Sequence, residues 1–299
     1  MGLRIGPDLF STMVNAVTAD QQQLNTALEQ VSTGKSVNQP SDNPAATAAY
    51  IDNQTESDSV DQYTQNISTV EGALQTADST LTSVVNNLNQ AIQLGTEAAN
   101  GTNSTAELQG LAKQIQSIQQ TVLSLANTSY QGSYLFAGTD STTAPYVADS
   151  SSSSGVSYVG NAGTNSIDVG GGQTVTINQP GSAIFDAPGS DVFQALSNLS
   201  TAISTNTNIS GALSQLESAY NTVTAQQTFY GNTIDQLNSI NDNLGEEQLN
   251  LSTQASNLIS ANSAQAESNL VQDETTLTAA LEAFGSISQN TLLNYLKLG

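Results

Sequence analysis

The sequence has no cysteine, no histidine and no tryptophan, and its only basic residues are Arg4, Lys35, Lys113 and Lys297. Without Cys or His there can be no disulfide, no thiolate nucleophile, no Cys/His zinc site and no Ser–His base pair. The missing cysteine does not by itself place the chain in a reducing compartment, because exported proteins without disulfides are common. Against four Lys+Arg stand 26 Asp+Glu, giving a net charge of −22. Such a surface repels phosphate backbones and anionic lipid headgroups, which argues against nucleic acid and membrane surfaces as partners. Only 10% of residues are charged, 37% are hydrophobic and 5% aromatic. That composition argues against a large spherical core and for elongated packing in which each helix buries a narrow stripe. No stretch approaches the ~20 apolar residues a membrane helix needs, and Met1-Gly-Leu-Arg-Ile-Gly-Pro7 does not read as a Sec-type signal.

What is present is a spacing. Phe10, Val14, Val17, Leu24, Leu28 and Val31 keep alternating steps of three and four, with Gln21 in one slot. The cleanest run is Val60, Tyr63, Ile67, Val70, Leu74, Ala77, Leu81, Val84, Leu88, Ala91, Gly95, Ala98, and a third runs Leu108, Leu111, Ile115, Ile118, Val122, Leu125. A 3.5-residue repeat keeps one seam facing a partner as helices supercoil. Punctuation agrees: Gly34 ends the first helix, and the segment to Asn43 leads to Pro44 in the first turn of the second. Asn100 to Ser104 is short enough to make the second and third helices an antiparallel hairpin.

The middle changes period. From Ser133 to about Pro188 the chain is rich in Gly, Ser and Thr, and Ile167 and Val169 alternate, as do Val175 and Ile177, around Gly170-Gly171-Gly172. This predicts a β-hairpin with a glycine turn. Ser150 to Ser154 reads as a mobile polar loop. The glycines do not make a phosphate cradle, since no Walker-type Lys or helix start follows. Beyond the middle the helical spacing resumes through Leu213, Leu216, Tyr220, Val223, Tyr230, Ile234, Leu237, Leu244, Leu251, Ala255 and Leu258, with Gln227, Asn241 and Gln248 in polar slots. The register slips between Leu258 and Leu270, restarts as Leu270, Leu277, Ala280, Phe284 and Ile287, and ends in an apolar knot from Leu292 to Leu296. Polar residues in a seam lower stability and fix register. If helical throughout, the stretch from Leu213 to Tyr295 spans roughly 120 Å at 1.5 Å per residue.

The plan is mainly α: an elongated coiled-coil bundle made from both chain ends, with a small β-rich insertion between. We expect residues 1–43 plus 260–299 to form a terminal helical pair, 44–137 plus 189–259 an inner bundle, and 138–188 the insertion.

The segment from Leu28 to Pro44, Leu-Glu-Gln-Val-Ser-Thr-Gly-Lys-Ser-Val-Asn-Gln-Pro-Ser-Asp-Asn-Pro, resembles the N-terminal motif of the flagellin superfamily. Within it, Leu125-Ala126-Asn127-Thr128, Gly132 to Thr139, Tyr158 to Phe185, and the ending with Leu281, Phe284, Ile287 and Leu292-Leu293-Asn294-Tyr295-Leu296 resemble the hook-associated protein 3 family. The chain departs from that family in its scarcity of Lys and Arg and in the offset of Arg4-Ile5 from the start. The resemblance implies a D0/D1-like bundle with a D2-like insertion, acting as a structural subunit of the bacterial flagellum at the hook–filament junction. It implies export through the flagellar type III apparatus as an unfolded chain, with termini that pair only on incorporation. Partners so implied are further copies of the chain in a helical ring or tube, the other hook-associated protein on the hook side, flagellin on the distal side, and a cytoplasmic chaperone over Leu270 to Leu296. The assembly seam would then be Phe10, Val14, Val17, Leu24, Leu28 and Val31 with Leu270, Leu277, Leu281, Phe284, Ile287, Leu293 and Leu296. Gly34, Lys35, Pro40, Asp42 and Pro44 would make the turn between terminal and inner helices.

Two other functions compete. A filament flagellin shares the helices and the turn but not the segments specific to the hook-associated branch. A secreted hydrolase or adhesin would need a site, and the carboxylate pairs Glu246/Glu247 and Asp273/Glu274 are helical neighbours pointing apart. Asp140, Asp149, Asp168, Asp186 and Asp191 are too scattered for a calcium loop. No catalytic residue, cofactor or metal is expected.

Overall fold

The computed structural model describes residues 7–296, with side chains described from Ser11 to Ser286. Helices and strands follow in the order α1 (Pro7–Thr33), α2 (Pro44–Ala99), α3 (Thr105–Ala126), β1 (Ser129–Tyr130), β2 (Ser133–Tyr134), β3 (Tyr146–Ala148), β4 (Val156–Tyr158), β5 (Ser166–Asp168), β6 (Thr174–Thr176), α4 (Gly181–Ile184), α5 (Val192–Thr205), α6 (Ile209–Ile259) and α7 (Ser263–Leu296). The mainly α architecture with a small β-rich middle is the one the spacing predicts. The strands form three separate antiparallel pairs, β1 with β2, β3 with β4 and β5 with β6.

Local chemistry explains the helix starts. The Asn43 side chain accepts from the Ala46 amide at 3.0 Å ahead of Pro44, satisfying a donor the helix leaves free. Ser104 and Glu107 make a reciprocal capping box on α3, and Asp191 accepts from the Gln194 amide at 2.8 Å to start α5. Inside the helices, Ser and Thr hydroxyls turn back to the carbonyl four residues earlier. Buried Thr80 and Thr233 bond Thr76 and Phe229 in this way, so a Ser/Thr-rich chain buries hydroxyls without leaving them unpaired.

The chain divides into two compact units, residues 1–58 with 248–299, and residues 59–247. The second unit holds the thick core. On α2 the column predicted from spacing is buried residue by residue: Val60, Ile67, Leu74, Ala77, Leu81, Val84, Leu88, Ala91 and Ala98. On α6 its counterparts are Leu216, Val223, Tyr230, Leu237 and Leu244. A β-carbon at Gly95 would come within 2.6 Å of Leu213 and 3.2 Å of Leu199, so glycine lets α5 and α6 close on α2.

Among the described residues, the buried aromatics are gathered in one place. Phe136, Tyr146, Phe185 and Phe193 are buried, with ring centroids 5.5 Å apart for Phe136–Phe185, 5.6 Å for Tyr146–Phe185 and 5.1 Å for Tyr146–Phe193. Tyr230 of α6 closes on Phe136 edge to face at 6.5 Å, and its hydroxyl accepts from the Gln179 amide at 3.1 Å. Such edge-to-face pairs add to the burial of their area.

The glycine hairpin forms as the spacing predicts, with Ile167 opposite Val175 and Gly170, Gly171 and Gly172 all at positive φ. It is seated on α2, where the Asn66 amide donates to the Asp168 carbonyl at 3.2 Å. Three features differ from expectation. Helix α5 lies within the 189–259 segment expected in the helical bundle, but the spacing read there begins at Leu213 and omits Val192, Leu196, Leu199 and Ile203. Helix α3 packs extensively on α5, a neighbour the spacing did not supply, with Ser200 donating to the Ala112 carbonyl at 3.2 Å between them, while Leu125 at its end lies beside Ser79 of α2 as the short connection implied. Ser150 to Ser154 is pinned: Ser154 is buried, its carbonyl accepts from Gln119 at 2.8 Å, and Ser153 bonds Gln194. The helical stretch from Leu213 onward breaks at Ser260–Asn262, inside the register slip read between Leu258 and Leu270.

Among these aromatics sits a carboxylate without a cation. Asp186 accepts from the Tyr146 hydroxyl at 3.3 Å. Burial pushes its pKa up to about 6, with the Asp191 charge adding to the rise and the Tyr146 bond opposing it. Burial also raises the Tyr146 hydroxyl, reinforced by the Asp186 charge. A carboxyl raised in the fold stabilises it below the unfolded value near 4, and that contribution is lost as pH climbs through about 6. Asp186→Asn should therefore melt higher than the parent chain at pH 7 and converge with it near pH 4 in paired thermal denaturation series.

Candidate functional site

The first unit brings the two chain ends together through α1, residues 44–58 of α2, residues 248–259 of α6, and α7. Helices α1 and α7 pack on one another. On α1 the covered face is Met13, Val17, Asp20, Leu24, Ala27 and Gln30. On α7 it is Ala266, Leu270, Asp273, Leu277, Ala280 and Phe284. Both series step by three and four, so each helix offers a coiled-coil stripe.

The predicted seam residues separate on this geometry. Val17, Leu24, Leu270, Leu277 and Phe284 lie on the covered faces. Val14, Leu28, Val31 and Leu281 stand outside, with Leu28 55% and Leu281 50% exposed. The apolar column of α1 drifts by one position: Met13 and Ala27 are covered where spacing pointed to Val14 and Leu28. The side chains of Phe10, Ile287, Leu293 and Leu296 lie outside the described residues.

The core here is thin. Ala27, Asn53, Leu251, Ala266 and Leu277 are the only buried non-glycine side chains described in this unit. The unit also carries Val14, Leu28, Val31, Ile51, Leu249, Val271 and Leu281, which are all of the exposed large apolar side chains described except Val147 and Val159. Val271 lines a shallow groove on α7 with Thr275 and Ala279. Apolar surface left out while little is buried is the signature of an interface awaiting a partner.

The turn residues have a defined role. Gly34 takes φ +68° and its amide donates to the Gln30 carbonyl at 2.9 Å, ending α1. Its carbonyl accepts from the Ala261 amide at 2.9 Å, and the Ser36 amide donates to the Ile259 carbonyl at 2.7 Å. Lys35 is thereby bridged to Ser260 in an antiparallel β-bridge. Asp42 accepts from the amides of Asn38 at 3.0 Å and Gln39 at 2.8 Å, closing the loop that Pro40 and Pro44 bound. The two helix breaks, more than two hundred residues apart in sequence, are thus tied by main-chain bonds. Spacing could locate each break but not their pairing, because backbone bonds leave no side-chain signature.

Among the described residues no group of three or more acidic side chains is placed to hold a metal ion, and no helix is long and apolar enough to cross a membrane. Glu246, Glu247 and Glu274 are exposed, and Asp273 lies half-buried in the α7 stripe.

Residues 9–141 match the bacterial flagellin N-terminal helical region. That match lies in the N-terminal part of the chain and is a likeness to the flagellin superfamily. The chain is 27% identical over 304 residues to flagellar hook-associated protein 3 of Escherichia coli strain K12, covering 92% of this chain and 94% of that one. A second hook-associated protein 3, from Salmonella typhimurium, is 29% identical over 181 residues, or 60% and 55% of the two chains. The fold is shared with the flagellar junction protein FlgL of Legionella pneumophila, with a TM-score of 0.61 at 15% identity over 71% of this chain and 100% of that one. Bacillus cereus FlgL gives 0.58 at 22% identity over 69% and 99%. The branch read from the Gly132–Thr139 segment and the apolar ending is the branch the comparisons return.

Two classes of substitution should behave oppositely. Leu28→Asp and Leu281→Asp touch side chains with little to lose in the isolated chain, so its unfolding free energy should stay within about 0.5 kcal/mol of the parent. The same changes should sharply lower incorporation into assembled structures. Phe185→Ala should instead cost the isolated chain about 3–5 kcal/mol, as read by urea denaturation.

Proposed function

We infer that this chain is a structural subunit of the bacterial flagellum that forms the hook–filament junction and is required for filament assembly and motility. The observation that carries the inference is similarity to hook-associated protein 3 along almost the whole chain, on a fold whose thinnest core and most exposed apolar side chains lie where the two ends meet. A junction subunit is built to finish its packing on neighbours, and this distribution of burial matches that need. On this reading the protein works outside the cell as part of the flagellum, assembles with other flagellar components, and is not an enzyme.

The finer proposals follow from the same logic. Copies of the chain associate head to tail in a helical ring or tube, the geometry that heterologous contacts generate. The other hook-associated protein lies on the hook side and flagellin on the distal side. The chain leaves the cell unfolded through the flagellar type III apparatus, a route compatible with the absence of disulfides. A cytoplasmic chaperone covers the C-terminal stripe before export, shielding Val271 and Leu281. Residues 1–43 with 260–299, 44–137 with 189–259, and 138–188 serve as terminal pair, inner bundle and insertion. The turn from Gly34 to Pro44 is the joint between the first two.

Deletion of the gene tests this reading and separates it from a filament role. The expected outcome is cells that build hooks, carry no filaments and release polymerisable flagellin into the medium. Normal filaments in the deletion strain would reject the junction assignment, and filament loss without spilled flagellin would favour a filament subunit.

A further inference from the structure

Within the first unit, residues 44–58 of α2 bury one side chain, and it is polar: Asn53, 8% exposed. Asn53 continues the column of Val60, Ile67, Leu74 and Leu81 at seven-residue steps, so it occupies a seam position that elsewhere is apolar. Its side-chain amide nitrogen is buried with no hydrogen-bond partner. One helical turn on, Ser57 accepts from the Gln248 side chain of α6 at 2.8 Å. The remaining oxygen of Gln248 is likewise buried and unpartnered. One donor and one acceptor are therefore left unpaired within a single layer of the same helix pair. Residues 248–259 of α6 bury only Leu251 beside them.

We propose that the Asn53–Ser57–Gln248 layer sets how far the α2–α6 pair stays closed in the free chain. A buried polar atom without a partner forfeits its hydration and gains nothing in exchange. The Ser57–Gln248 bond holds the helices in register while the two orphaned atoms keep the closed state shallow, as polar seam residues do in coiled coils. Opening lets both amides reach water, so local unfolding advances to this layer and stops at the apolar column beginning at Val60. The layer is a stability step built into the seam, and it acts whatever the chain assembles with.

Hydrogen exchange by mass spectrometry on the purified full chain tests this. The double variant Asn53→Leu/Gln248→Leu removes both orphans, and protection of residues 50–57 and 248–255 should rise about tenfold or more. Peptides from the aromatic cluster around Phe185 and Phe193 should be unchanged. Ser57→Ala gives the opposite sign: it strips Gln248 of its partner, and protection of the same segments should fall about fivefold or more. A folded double variant with unchanged or lower protection would overturn the proposal. Should the double variant fail to fold, Ser57→Ala decides alone, and unchanged exchange there overturns it.

Discussion

Two helices each offering one apolar stripe can bury only what the stripes cover, and that limit governs this molecule. Where α2, α3, α5 and α6 share a core, side chains such as Leu81, Ile115, Leu199 and Leu216 are fully buried and the aromatic cluster locks on top. Where α1 meets α7, the buried side chains shrink to Ala27, Ala266 and Leu277. A helix pair of that kind gains little from propensity and depends on tertiary burial. The exposed Leu28, Val271 and Leu281 show where more burial is available, and it must come from outside the unit.

Legibility in the sequence tracked how narrow the stripe was. On α2 a strict three-four spacing left no choice of face, and every position from Val60 to Ala98 proved covered or half-covered. On α1 the spacing pointed to Val14 and Leu28, whereas Met13 and Ala27 are the covered neighbours. At the second of these positions the small side chain of Ala27 is the buried one and Leu28 stands exposed. Helix α5 fell within the expected bundle segment but went untraced as an element, because the spacing was followed only from Leu213. The Ser150–Ser154 segment looked like a free loop because its anchors, Gln119 and Gln194, lie far away in sequence. The bridge between residues 34–36 and 259–261 is made of amides and carbonyls, which every sequence supplies alike.

Charge shapes the molecule as much as burial does. With 26 acidic residues and four basic ones, the chain cannot hold itself together through ion pairs. Asp186 carries the cost locally, its carboxyl pushed upward among aromatic rings with no cation beside it. Long polar helices are instead held by hydroxyls returned to their own backbone and by amides such as Gln248 and Gln227 reaching across to Ser57 and Thr82. Such bonds set register and contribute modestly to stability.

Hydrogen exchange on the dilute, full-length chain, compared with the same chain in its assembled form, bears on the central claim most directly. Amides of residues 11–33 and 263–286 should exchange within about one order of magnitude of unprotected peptide in the free chain. Those around Leu81, Leu88, Leu196 and Leu199 should be strongly protected throughout, and the ends should gain protection only on assembly. Ends protected as strongly as the inner core in the dilute chain would contradict the account.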